Sequence, residues 1–87
     1  MPTARYALAG VLGPDGRIYA IGGYNGSGVL NTVEAYNPKT NSWTSEAPMP
    51  TARGYLAAAL GPDGRIYAIG GQDRSGNIVN TVEAYTP

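Results

Sequence analysis

The sequence contains no cysteine and no histidine. The first absence excludes disulfides, and together they exclude a Cys/His metal centre. Nucleophilic catalysis through a Ser-His or Cys-His pair is excluded by the same two absences. Charge is scarce and balanced, with six basic and six acidic residues in 87. Such a chain lacks the basic footprint of a nucleic-acid binder or of a protein held on an anionic membrane, and neither partner is expected. No apolar run approaches the roughly 20 residues of a membrane span. The opening Met-Pro-Thr-Ala-Arg has no apolar core of the secretory type, so expression in the cytoplasm is expected.

Glycine and proline, by contrast, are abundant, at thirteen and seven. Long helices are therefore not expected, while the apolar content suffices for a folded state. One stretch, Gly-Pro-Asp-Gly-Arg-Ile-Tyr-Ala-Ile-Gly-Gly, occurs unchanged at residues 13–23 and 61–71. Around it the whole chain repeats. Met1-Pro-Thr-Ala-Arg5 returns as Met49-Pro-Thr-Ala-Arg53, and Asn31-Thr-Val-Glu-Ala-Tyr36 returns as Asn80-Thr-Val-Glu-Ala-Tyr85. The second set is offset by one more residue than the first. The added residue falls in the segment after the double glycine, where the copies also differ most, as expected of a surface loop.

Each unit reads as antiparallel strands. Residues 6–12 and 54–60 form the first, rich in small side chains that suit a crowded strand. The run Leu-Ala-Ala-Ala-Leu has helix propensity but is too short, and Gly54 and Gly61-Pro62 flank it. Gly-Pro-Asp-Gly is a hairpin turn: proline presets φ, aspartate bonds the backbone two residues on, and glycine accepts positive φ. Residues 17–21 and 65–69 form the second strand. Gly22-Gly23 and Gly70-Gly71 then require unusual dihedrals or a close backbone neighbour. Residues 31–36 and 80–85 form the third strand, and residues 42–46 the fourth. The first unit, 1–48, has four strands. The second, 49–87, has three, because the counterpart of the Trp43 strand is missing.

An apolar run followed by Gly22-Gly23, then Tyr36 and Trp43, resembles the kelch repeat, and Gly70-Gly71 with Tyr85 repeats it without the tryptophan. The resemblance implies one β-propeller blade per unit, in rings of usually about six or seven blades. Two blades cannot close a ring, so completion by association of copies is expected. A trimer of six blades is preferred and a tetramer of eight is second. The likeness of the copies suggests an engineered or consensus sequence, serving as a self-assembling scaffold without catalytic activity or cofactor. A module recognising a peptide or carbohydrate through the loops on one face is the other reading.

Several residues are candidates for a site. Arg5 and Arg53 stand at the entrance to the innermost strand and would recur around a central channel, where they could bind anions. Their structural reading is pairing with Glu34 and Glu83, which share a strand face with Tyr36 and Tyr85. A buried carboxylate needs a cation or several donors, and Arg17 and Arg65 also recur in step with these glutamates. In the variable loops, Tyr24, Asn25, Gln72, Asp73 and Arg74 could contact a ligand. Asp15 and Asp63 supply too few oxygens for calcium and read as turn formers. Tyr36 and Trp43 read as packing between blades rather than a stacking platform.

Overall fold

The computed structural model describes residues 1–87 and is built from β-strands alone. The strands are β1 (Ala9–Leu12), β2 (Ile18–Ile21), β3 (Tyr24–Asn25), β4 (Gly28–Val29), β5 (Val33–Asn37), β6 (Ser42–Glu46), β7 (Ala57–Leu60), β8 (Ile66–Ile69) and β9 (Val82–Tyr85). No helix is present to cross a membrane. One sheet has the order β1-β2-β5-β6 and the other β7-β8-β9, all antiparallel. The two sheets stack face to face, and the molecule measures 37 × 30 × 16 Å.

The core lies between them. Tyr19, Ile21, Val33 and Ala35 of the first sheet meet Met49, Leu56, Ile66 and Ala68 of the second. Tyr85 packs against this cluster, its ring edge-on to Tyr19 at 6.3 Å. The alternation of a strand explains the choice of residues, because positions two apart share a face. The Gly-Pro-Asp-Gly segments form the expected turns, with Gly13 N–H donating to the Arg17 carbonyl at 2.8 Å and Gly61 N–H to that of Arg65 at 2.7 Å.

Three elements differ from the sequence expectation. The first strand of each unit is shorter, starting at Ala9 and Ala57. Ala7 and Tyr55 adopt φ of +57° and +54°, which bends the chain out of line before each strand begins. The third strand starts later, at Val33 and Val82, because the preceding carbonyls of Asn31 and Thr32 (and of Thr81) are turned to other partners. The first variable loop is a small β3–β4 hairpin, whereas its counterpart holds only an isolated bridge between Gln72 and Ile78.

The double glycines show both properties expected of them. Gly22 has φ +66°, and a Cβ there would run into the Arg53 carbonyl of the adjoining sheet. Gly23 has φ +102°, and its Cβ would lie 2.6 Å from the Tyr6 carbonyl. Only glycine permits this approach, through which Gly23 N–H donates to the Arg53 carbonyl at 2.9 Å.

Candidate functional site

The chemistry-bearing side chains fall into three groups. The first is an arginine clamp inside each sheet. Arg5 Nη1 donates to the carbonyls of Gly22 and Thr32, both at 2.8 Å. Its Nη2 donates to the Ala20 carbonyl and to Glu34 Oε1, both at 3.0 Å. Thr3 holds the other Glu34 oxygen at 2.8 Å. The second unit repeats the arrangement: Arg53 reaches Gly70, Thr81, Ala68 and Glu83, and Thr51 completes Glu83. Only Nε of each arginine lacks a partner. Both arginine side chains are 0% exposed, so neither presents its guanidinium to a ligand in solution. Burial lowers the pKa of Arg5 against the opposing pull of Glu34. The clamp ties three backbone segments of one sheet, which is where its binding capacity is spent.

The second group sits on the Gly-Pro-Asp-Gly turns. Tyr19 O–H donates to Asp15 Oδ2 at 2.7 Å, Arg17 Nε donates to the same oxygen at 2.8 Å, and Arg17 Nη2 donates to the tyrosine oxygen at 2.8 Å. Arg17 Nη1 also reaches Glu46 on β6 at 3.1 Å. Asp63, Arg65 and Tyr67 reproduce the triangle. Burial acts to raise the Asp15 pKa, but the hydrogen bonds from Tyr19 and Arg17 outweigh it and hold the carboxyl at about 2. The Tyr67 and Arg65 hydrogen bonds bring Asp63 to about 2 as well. Burial and the bond to Asp15 push Tyr19 up to about 12. The arginines that recur in step with the glutamates thus divide: Arg5 and Arg53 take the glutamates, and Arg17 and Arg65 take the turn aspartates. The signal for this triangle was the spacing of Asp15, Arg17 and Tyr19, every second residue from the turn into β2.

The third group is aromatic and was not anticipated. Tyr6 stacks on Tyr24 at 5.6 Å, and Tyr24 meets Tyr55 at 5.5 Å, all on the side of the sheets that carries the variable loops. Tyr6 and Tyr55 are exposed. Tyr24 O–H donates to Gln72 Oε1 at 3.1 Å. Beside it, Tyr55, Gly71, Gln72 and Ile78 line a cleft of ≈ 440 Å³. Gly54 makes room for this cluster, because a Cβ there would strike the Tyr24 ring. The visible signal was a break in the repeat: Tyr6-Ala7 stands where the second copy has Gly54-Tyr55.

Of the loop residues expected to contact a ligand, Tyr24 and Gln72 come together. Asn25 closes its own hairpin, accepting from the Ser27 N–H at 2.8 Å. Asp73 accepts from the N–H groups of Ser75 and Asn77, both at 3.0 Å, and with Arg74 borders a separate, shallow cleft of ≈ 260 Å³ beside Pro50–Ala52. Tyr36 packs on Trp43 at 5.1 Å at the outer edge of the first sheet. No three acidic side chains cluster in a metal-binding arrangement.

Stacked antiparallel sheets, each opening on an inner strand and bent at a double glycine, are the blades of an all-β propeller-type repeat protein. Residues 5–50 and 53–87 match the family model described as the Kelch motif, and the chain belongs to the kelch-repeat family. Over 52 residues it is 46% identical to the Influenza virus NS1A-binding protein of Homo sapiens, covering 56% of this chain and 8% of that protein. Over 31 residues it is 58% identical to Kelch-like protein 26 of Danio rerio, covering 36% of this chain and 5% of the relative. Over 27 residues it is 59% identical to Kelch-like protein 36 of Rattus norvegicus, covering 31% and 4%. The chain therefore spans a small fraction of the length of the curated relatives it matches.

Proposed function

We propose that the chain is a non-catalytic, self-assembling propeller scaffold whose copies join head to tail. One observation carries the reading. Repeat-equivalent residues are buried at the junction between the two sheets and exposed at the two outer faces. Ile66 is 0% exposed and its counterpart Ile18 is 44%; Val33 is 1% exposed and its counterpart Val82 is 58%. Met49 and Ile21 are likewise buried, Met1 and Ile69 exposed. The face bearing Ile69 and Val82 repeats the one that already receives the second sheet, and the face bearing Met1 and Ile18 repeats the one it receives. Two different complementary faces make a heterologous contact, which closes into a ring when the rotation fits. Glycine supports the same reading: Gly22 is crowded by the Arg53 carbonyl, whereas its counterpart Gly70 meets only the Val79 carbonyl, at 3.5 Å.

Three copies would supply six blades and four would supply eight; the trimer is preferred. The near-identity of the two units fits an engineered or consensus origin. Solution mass is the test. A species three or four times the 9.0 kDa chain mass supports the ring, and a 9.0 kDa species alone at micromolar concentration overturns it.

The aromatic cluster favours a second reading, in which the loop side of the blades is a binding module for a peptide or carbohydrate. The human relative is named for binding a viral protein, which is consistent with a recognition role for such modules. Tyr55 and Ile78 offer apolar area, and Gln72 offers an amide to fix orientation, the usual composition of a small site. Screening the chain and its Tyr55→Ala form against neutral oligosaccharides and peptides tests this. Binding that is unchanged by the substitution excludes the cleft.

A further inference from the structure

A backbone nitrogen can attack the side-chain carbonyl carbon of the residue before it and close a cyclic imide. The step is least hindered where the attacking residue is glycine, which has no Cβ in the way. Three positions offer the pairing: Asp15-Gly16, Asp63-Gly64 and Asn25-Gly26. The remaining asparagines precede Thr32, Ser42, Ile78 and Thr81, whose side chains crowd the attacking nitrogen, or Pro38, which has no N–H. At the two Gly-Pro-Asp-Gly turns both reacting groups are held. Gly16 N–H donates to the Gly13 carbonyl at 3.2 Å, and Gly64 N–H to that of Gly61 at 3.1 Å. Asp15 accepts from the backbone and guanidinium of Arg17 and from the Tyr19 hydroxyl, and Asp63 accepts from Arg65 and Tyr67 in the same way. With a pKa of about 2, both stay ionised at neutral pH, and an ionised carboxylate has no oxygen ready to leave as water. The tip of the β3–β4 hairpin is the opposite case. Gly26 is exposed, its N–H meets no carbonyl, and a Cβ placed on it would touch nothing within 4 Å. Asn25 Oδ1 accepts from Ser27 N–H at 2.8 Å, and the ring closed by that bond contains both the Asn25 Cγ and the Gly26 nitrogen. The side chain is thus folded back over the nitrogen that must attack it, with Ser27 N–H placed to hold the charge that builds on Oδ1.

We infer that Asn25 is a self-modifying site, at which the folded chain converts a neutral amide into a carboxylate with water as the co-reactant. The Gly26 nitrogen gives its proton to solvent and bonds to Asn25 Cγ. The Cγ–Nδ2 bond breaks, and Nδ2 takes up a proton and leaves as ammonia. Water then opens the imide at one of two carbons. Attack at Cγ restores the ordinary backbone, with aspartate in place of asparagine. Attack at the Asn25 backbone carbonyl carbon breaks its bond to the Gly26 nitrogen, and the chain then runs through the side chain, one methylene longer. Either product carries a negative charge next to Tyr24, whose ring stacks on Tyr6 at 5.6 Å and meets Tyr55 at 5.5 Å. The longer link also disturbs the pairing of Asn25 with Gly28, while the bond from Leu30 N–H to the Gly23 carbonyl lies outside the altered turn. The second loop has Gln72-Asp73-Arg74 at the equivalent place and no such pair, so the reaction makes the two blades chemically distinct.

The test is to hold the full chain in warm, mildly alkaline buffer and follow it by peptide mass spectrometry, with enzymatic isoaspartyl methylation to mark the longer link. Conversion at Asn25 is expected ahead of every other residue, with ammonia released in equal amount. Gly26→Ala should abolish it over the same period, and the open space around Gly26 lets that variant keep the fold. In urea at about pH 5, near the ordinary aspartate pKa of about 3.9, isoaspartate should also form at Asp15 and Asp63, but not in the folded chain at the same pH. The inference is overturned if the folded chain keeps Asn25 intact while the urea-unfolded chain loses it, or if another asparagine converts first. Equal conversion in Gly26→Ala also overturns it, since the amide is then hydrolysed directly by water. Isoaspartate forming at Asp15 or Asp63 as readily in the folded chain as in urea counts against it in the same way.

Discussion

At the scale of the residue, the arginine clamps are the largest local commitments of charge. A buried ion pair is costly to break on one side, because the surviving partner is left uncompensated. Replacing Arg53 with methionine should lower the unfolding free energy by about 3–5 kcal/mol, read from urea transitions. Replacing Arg53 and Glu83 together with apolar residues should recover much of that loss. If it does not, the carbonyls of Gly70, Thr81 and Ala68 are what the arginine chiefly serves. The turn aspartates predict an acid limb. Their folded pKa of about 2 lies below an unfolded value of about 3.9, so their contribution is complete above pH ~4 and is lost as pH falls toward 2. The Asp15→Asn, Asp63→Asn chain should show a flatter stability profile between those values. Both predictions concern residues whose partners lie in a different segment or at every second position from a turn into the following strand. That is why the Arg5–Glu34 pairing could be anticipated from parallel repetition, whereas the Tyr19–Asp15–Arg17 triangle stayed hidden behind the stronger turn signal of Gly-Pro-Asp-Gly.

At the scale of the element, the duplicated motif made the β1–β2 and β7–β8 hairpins legible, since its turn chemistry and β-branched runs act locally. Where each first strand begins was not legible, because Ala7 and Tyr55 take a left-handed conformation that their side chains do not advertise. The aromatic cluster escaped for a related reason: Tyr6, Tyr24 and Tyr55 converge only once the bend and the sheet stacking are known. Gly22→Ala and Gly70→Ala separate conformational strain from crowding. Both place a side chain at positive φ, at a cost of order 1–3 kcal/mol, but only Gly22→Ala also collides with the neighbouring sheet. Thermal melts at a dilution where the chain is monomeric should therefore show Gly22→Ala to be the less stable of the two.

At the scale of the whole molecule, one glycine substitution also probes association. Under the head-to-tail reading, Gly70 of one copy approaches the Arg5 carbonyl of the next, as Gly22 approaches Arg53. Gly70→Ala should then reduce the assembled fraction well beyond its effect on folding, as measured by light scattering beside a urea titration. Val82→Lys should act similarly from the exposed face, while leaving the internal core intact. An assembly that withstands both substitutions would have to use some other surface. The variable loops carry a consequence of a different kind. Each is closed at its mouth by the same bond, from Leu30 N–H to the Gly23 carbonyl at 2.8 Å and from Val79 N–H to the Gly71 carbonyl at 2.9 Å. The added residue lies wholly between those two anchor points, with the loop residues that differ most between the copies. Extending such a closed loop costs little, about 0.6 kcal/mol for each doubling of length. The mouth therefore works as a grafting cassette, in which new segments can be inserted and exchanged while the blade beneath keeps its register.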